Sequence, residues 1–113
     1  MPYAKIAIPL PLEDTYDYFI PPHLESKVHV GMKVRVPFGK RMLTGFCVEI
    51  TSRSEVTPEK LKEVQGVLTD VAVVDLKMLE FSRWWSRYYH CSLGEALDAA
   101  VPSEVGQIGR AHV

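Results

Sequence analysis

The stretch Val34-Arg35-Val36-Pro37-Phe38-Gly39-Lys40 decides how this chain folds. Its first half alternates aliphatic and basic residues, the period-2 pattern of a strand with one buried face. Pro37 has no N–H to give a ladder and Gly39 tolerates a positive φ, so the strand stops and turns there. Residues 44–51 follow, with Phe46, Val48 and Ile50 at alternate positions. That run reads as the hairpin partner of 34–38, joined by a turn of ordinary hairpin length. Gly45 within it marks a bulge, or a spot where another backbone comes close.

Working toward the N-terminus, Tyr3-Ala4-Lys5-Ile6-Ala7-Ile8 alternates with Ala4, Ile6 and Ile8 on one face and reads as the first strand. Pro9 and Pro11 then hold the chain extended. Thr15-Tyr16-Asp17-Tyr18-Phe19-Ile20 is aromatic and β-prone, with Tyr16, Tyr18 and Ile20 on one face and Asp17 and Phe19 on the other. Pro21-Pro22 closes it. Residues 23–30 read as a loop ending in a short strand, and Gly31 as the turn that follows.

Toward the C-terminus, 52–57 is a polar connection, 58–62 has the form of one helical turn with Pro58 near its start, and 64–68 reads as a last short strand. The period then changes. Asp75 is a candidate N-cap, and Val74, Met78, Phe81, Trp85 and Tyr88 recur at helical spacing, widened by Trp84 and Tyr89. Such a stripe is able to stack bases, but a helix in water needs a buried face, so it is read here as core. Ser92-x-x-Glu95 is a capping box opening a second helix through Ala100, ended by Val101-Pro102. The expected class is α+β and mostly β. It is a small twisted sheet or barrel of five or six short strands over about 3–70, with a helical part over about 75–100 packed on it. The domain is expected over 1–102, with 103–113 as a frayed tail or the start of a linker.

Composition bounds the function. The chain has 113 residues, 47% hydrophobic and 24% charged, ordinary values for a globular domain. The formal net charge of −1 does not favour broad wrapping of nucleic acid. Its distribution is uneven. No Asp or Glu falls between 26 and 48, whereas Lys27, Lys33, Arg35, Lys40 and Arg41 do, which suits either a local anion contact or a solvated strand face. No run approaches the roughly 18 apolar residues of a membrane span. The N-terminus has no signal layout, so a cytoplasmic protein without membrane partners is expected. Cys47 and Cys91 are too few for a disulfide framework, and His90-Cys91 lacks partners at zinc-ligand spacing.

Catalytic motifs are not found. There is no Gly-x₄-Gly-Lys-Ser/Thr phosphate loop, no Gly-x-Ser-x-Gly, no His-Glu-x-x-His and no glycine-rich dinucleotide loop. His23, His29, His90 and His112 have no neighbouring groups that fix a catalytic role. No catalytic residue and no metal ligand is assigned. A binding site assembled from turns remains, with Tyr16-Asp17-Tyr18 offering aromatic surface beside a carboxylate and 37–40 offering backbone amides and charge.

These residues also carry a resemblance. Ala4-x₄-Pro9-x-Pro11-Leu12 at the start, Thr15-Tyr16-Asp17-Tyr18, and Gly31-x-x-Val34-Arg35-Val36-Pro37-Phe38-Gly39 stand in the order and spacing of one known N-terminal domain. So do Trp85-x-x-x-Tyr89-x-x-x-Leu93-Gly94 and Leu97-x-x-x-Val101-Pro102. From Met1 to Pro102 the chain resembles the N-terminus of the PriA family of replication-restart helicases (primosomal protein N′).

The resemblance implies a domain that captures the 3′ end of a nascent leading strand at a stalled fork. It carries the family's terminal-nucleotide pocket onto Tyr16, Asp17, Tyr18, Gly39 and Lys62, with Lys60 as the neighbouring substitute for Lys62. Phe38 and Lys40 are possible secondary contacts. Tyr16 stands where a relative has Phe. ATP and magnesium use, zinc binding and 3′–5′ helicase activity are implied for other domains, with no cofactor and no enzyme activity in this one. The implied partners are a single-stranded DNA 3′ terminus and the remaining helicase domains. Other primosome proteins and single-stranded-DNA-binding protein are implied through the full-length protein, in a nucleoid-associated setting.

The chemistry is consistent with that pocket. A carboxylate accepts a hydrogen bond from a 3′-hydroxyl and repels a 3′-phosphate, and aromatic rings stack any base. Two other readings differ in class: a protein-interaction module using the sheet edges or the Trp84-Trp85 helix, and a general single-stranded nucleic-acid barrel with no end preference.

Overall fold

The computed structural model describes residues 2–11, 13–54, 60–69 and 71–101. Five strands form one antiparallel sheet, followed by two helices. They are β1 (Tyr3–Ala7), β2 (Tyr16–Phe19), β3 (Lys33–Phe38), β4 (Arg41–Thr51), β5 (Gly66–Val67), α1 (Leu76–Tyr88) and α2 (Leu93–Ala100). The strand order is β2-β1-β4-β3-β5. This is the mostly β α+β class expected, in its open-sheet rather than its barrel form.

One segment comes close to closing the sheet. Residues 66–67 pair with β3, while Phe19 N donates to Lys62 O and Val64 N donates to Phe19 O at the opposite edge. The contact with β2 amounts to a single parallel bridge between Phe19 and Glu63, so the ladder stays open. Val64 is buried, and the expected strand over 64–68 reduces to Gly66–Val67. Of the helical turn expected over 58–62, Pro58 and Glu59 lie outside the described residues and Leu61 and Lys62 are not helical; Pro102 and the tail also lie outside.

Hairpin β3–β4 has the predicted form, with Phe38 opposite Arg41 and only Gly39 and Lys40 between them. Gly39 takes φ +62 at the first central position, as the II′-type turn of a two-residue hairpin requires. Strand β4 therefore begins three residues before the expected start at Thr44. Gly45 is a close-approach position, since a Cβ there would stand 2.6 Å from Ile6 Cγ2 and 2.8 Å from Ala7 O.

The expected alternation of Phe46, Val48 and Ile50 on one face holds only for the first two. Lys5 pairs with Glu49 but Ile6 pairs with Cys47, so Val48 is an extra residue on β4. A bulge shifts the side-chain phase by one. Ile50 thus lies opposite Ala4 and is 39% exposed, while Phe46 and Val48 stay under the helices.

Two cores result. Ala4, Ile6, Tyr18, Val34, Val36 and Cys47 form the core on one side of the sheet, joined by Leu24 and Val28. Ala7, Phe46, Val48, Val74, Leu79, Leu93 and Leu97 pack between the other side and the helices. The central strands β1 and β4 are consequently buried on both faces, which is why Ile6-Ala7-Ile8 and Phe46-Cys47-Val48 read as unbroken apolar runs.

Two expectations need correction. Residues 23–30 contain no strand; Pro22–Leu24 is a 3₁₀ turn that brings Leu24 into the core, and Val28 is buried from a loop. The aromatic stripe is not core. Asp75 caps α1 as expected, its Oδ1 accepting from Met78 N at 2.8 Å. The helix, however, buries Leu79, Ser82 and Ser86, and leaves Phe81, Trp84, Trp85, Tyr88 and Tyr89 between 37% and 63% exposed.

The reason is geometric. Helix α2 lies against β1 and β4, whereas α1 packs mainly on α2 as the outer member of the pair. Small serines suit that close helix contact, and an apolar count cannot register them. The bulky rings therefore turn outward. No helix is long and apolar enough to cross a membrane among the described residues.

Candidate nucleic-acid end pocket

Strand pairing builds the site. The chain is not extended after β1 as expected but bends at residues 9–11, where Leu10 N donates to Ile8 O at 2.7 Å, and β2 returns antiparallel with Tyr3, Ala4, Lys5 and Ile6 opposite Phe19, Tyr18, Asp17 and Tyr16. Tyr18 thereby lies in the same core as Ala4, where it is only 5% exposed. Its hydroxyl donates to Pro37 O at 2.7 Å, which ties edge strand β2 to the end of β3. Burial, and secondarily the neighbouring Tyr16, push the Tyr18 phenol up to about 12.

The Tyr18–Pro37 bond sets the β3–β4 turn beside the start of β2, and a cavity of about 430 Å³ lies between them. Tyr16, Asp17 and Tyr18 line it from β2, Pro37, Phe38 and Gly39 from the turn, and Lys60 and Lys62 from the segment that bridges the edges. Tyr16 and Phe38 meet edge to face with ring centroids 5.1 Å apart, forming one aromatic wall. The Tyr16 hydroxyl accepts from Glu13 N at 3.1 Å and holds the adjoining loop. Lys62 Nζ donates to Gly39 O at 3.3 Å, so the cation and the turn are in direct contact.

Asp17 is well anchored. Its Oδ1 forms an ion pair with Lys5 Nζ at 3.2 Å and its Oδ2 accepts from Ser54 Oγ at 2.6 Å; the side chain is 9% exposed. An ionised carboxylate offers about four lone-pair positions, so these two contacts leave acceptor capacity. No Cβ-sized neighbour stands beside Gly39, where a methyl group would meet nothing within 4 Å. Its glycine is thus demanded by φ rather than by packing, and the space next to it stays open.

All five primary residues expected from the sequence therefore line one cavity, as do Phe38 and the alternative cation Lys60. Lys40 does not; it is exposed in the turn outside the lining. Of the basic stripe, Lys27, Lys33, Arg35 and Arg41 are also elsewhere, with Lys33 lying 6.0 Å from the Phe46 ring centroid. The cations of the cavity are Lys5, Lys60 and Lys62. Sequence reasoning passed over Lys5, Glu13 and Thr15 in the lining and Ser54 beneath it. Lys5 had a signal, since pairing the two short N-terminal strands antiparallel about Ala4 and Tyr18 sets a lysine opposite an aspartate. Ser54 had none, because its bond to Asp17 spans 37 positions.

Among the described residues no group of three or more His, Cys, Asp or Glu side chains is placed to hold a metal ion. What the cavity offers is an aromatic wall, a fixed carboxylate and cations at one rim.

Comparison with known proteins agrees in extent with this architecture. Residues 5–102 match the PriA domain family described as 3′DNA-binding domain (3′BD). The chain is 28% identical over 102 residues to the replication restart protein PriA of Haemophilus influenzae, covering 90% of this chain and 14% of that protein. It is 32% identical over 109 residues to PriA of Treponema pallidum, covering 90% and 16%. Against PriA of Bacillus subtilis it is 32% identical over 92 residues, covering 81% and 11%. The chain thus corresponds to less than a fifth of the length of each of these relatives.

Proposed function

This chain belongs to the PriA 3′DNA-binding domain family, and from that premise we propose that it binds the 3′-hydroxyl end of single-stranded DNA regardless of sequence. Its place is the recognition of stalled forks during replication restart. The observation that carries the reading is the meeting of Asp17, the Tyr16–Phe38 wall, open Gly39 and Lys62 around one cavity. Asp17 accepts the 3′-hydroxyl hydrogen bond, and a phosphate there would face a carboxylate instead. Tyr16 and Phe38 stack the terminal base without reading its edges, and Lys62 takes the adjacent phosphate, positioning the strand.

Each contact is indifferent to base identity, which suits a protein that must act wherever a fork stops. ATP hydrolysis, strand unwinding and contacts with other primosome proteins belong, in this reading, to the remainder of a PriA polypeptide. Fluorescence anisotropy with matched oligonucleotides ending in 3′-hydroxyl or 3′-phosphate tests the proposal. Tighter binding of the hydroxyl end is expected, and equal affinity for the two would overturn it.

A further inference from the structure

Ser54 is not among the residues that line the cavity, yet it is bonded to the carboxylate on which end recognition turns. We propose that Ser54 is a positioning residue for end discrimination. Its hydroxyl fixes the Asp17 carboxylate in the one orientation that accepts a 3′-hydroxyl. This role rests on the pocket reading, in which Asp17 meets the terminus, and adds to it a residue that never touches the strand.

The two oxygens of Asp17 are held differently. Oδ1 takes the Lys5 ammonium at 3.2 Å, from a side chain that is itself 32% exposed. Oδ2 takes the Ser54 hydroxyl at 2.6 Å, inside the roughly 2.5–2.7 Å of a charge-assisted O–H···O⁻ bond. Serine places its oxygen through a single torsion, whereas lysine carries its charge on a flexible four-carbon stem. Lys5 also stands between two acids, paired with Asp17 on β2 and with Glu49 on β4, and directly paired residues share a face of the sheet. Its ammonium is free to turn toward either one. Lys5 supplies charge; Ser54 supplies direction.

Local structure gives the serine a fixed approach. Strand β4 ends at Thr51, and Arg53 N donates to Thr51 Oγ1 at 3.2 Å, which accompanies a bend at Ser52. Since β1 lies between β4 and β2, Ser54 crosses β1 to reach Asp17. With one donor on each oxygen, the carboxylate cannot swing between rotamers, and only its remaining lone pairs are open to a ligand. A terminal hydroxyl must meet those lone pairs along a narrow range of angles. Repulsion of a terminal phosphate depends on charge and distance instead. Loss of the serine hydroxyl therefore leaves the charge in place and removes its aim.

Anisotropy titrations with oligonucleotides ending in 3′-hydroxyl or 3′-phosphate read both affinities in wild type, Ser54→Ala, Ser54→Thr, Asp17→Ala and the double variant Asp17→Ala/Ser54→Ala. Ser54 is only partly buried, so removal of one oxygen leaves the fold intact. Ser54→Ala is expected to weaken the hydroxyl end by about threefold to tenfold and to leave the phosphate end as it was. Ser54→Thr, which keeps the hydroxyl, restores the wild-type ratio. On top of Asp17→Ala, the serine substitution should change neither affinity, because its effect passes through the carboxylate. An unchanged ratio in Ser54→Ala, an equal loss at both ends, or the same loss with and without Asp17 overturns the proposal. Wild type that binds both ends equally overturns the pocket reading and the role of Ser54 together. Wild type and Ser54→Ala that discriminate equally well remove Ser54 alone.

Discussion

Asp17 of β2 lies directly across from Lys5 of β1, and their side chains form a 3.2 Å ion pair at the edge of the cavity. The two charges cancel there, and Glu13, Lys60 and Lys62 are the other charged residues of the lining. While Asp17 is present, the carboxylate faces any incoming terminus and Lys5 is neutralised; without it, Lys5 becomes an uncompensated cation. Asp17→Ala should therefore do two things. Affinity for a 3′-hydroxyl oligonucleotide falls by about tenfold or more, from loss of a charged hydrogen bond of about 1.5–3 kcal/mol. Discrimination against a 3′-phosphate also shrinks toward none. Parallel anisotropy titrations with both ends check this, and retained discrimination would remove Asp17 from the role.

Lys62 touches Gly39 O from an exposed position, where its charge is screened. Lys62→Ala is expected to weaken binding of all sequences to the same extent. It should also flatten the slope of log K against log salt by about 0.7, the loss of one phosphate contact to a single strand. An unchanged slope would transfer the contact to Lys60, and the same substitution there would confirm it.

Two glycines separate conformational from steric demand. Gly39→Ala meets no neighbour but must hold φ +62, so a stability loss of roughly 1–2 kcal/mol is expected with the fold intact. Gly94→Ala would place a methyl group 2.0 Å from Ile8 O, where α2 crosses the end of β1. Backbone cannot yield there, and the helical pair should detach or the domain fail to fold. Urea unfolding followed by circular dichroism distinguishes the two, and comparable losses would contradict the packing described.

Tyr18 supplies a pH prediction. Its phenol is raised from 10.0 to about 12 by burial first and by Tyr16 second, so the folded state favours the neutral form. Stability from this group is complete below pH 10 and is lost as the pH rises toward 12. The neutral hydroxyl is also what donates to Pro37 O. Ultraviolet titration of the phenols should show one late step near pH 12 that Tyr18→Phe removes. A variant that keeps the late step would place the buried phenol elsewhere.

Much of this was legible in the residues. Pro37 and Gly39 forecast where β3 ends and turns; the Tyr16-Asp17-Tyr18 run and its likeness to the PriA family singled out residues that do converge on one cavity. Short-range physics suffices for such features, because a missing N–H, a positive φ or a period of two acts within a few positions. Capping by Asp75 and by the Ser92–Glu95 box was readable for the same reason.

Tertiary structure alone decided the rest. The bulge at Val48, the Asp17–Ser54 contact and the Asp14–Leu93 bond each join residues that sequence patterns leave unrelated. The inversion of α1 is the clearest case. Its bulky rings have the helical period of a core face, yet a helix buries whichever side fits the space beside it. Against α2 that space admits Leu79, Ser82 and Ser86, so the aromatic side faces outward. Periodicity determines that a helix has a face; only packing determines which face is buried.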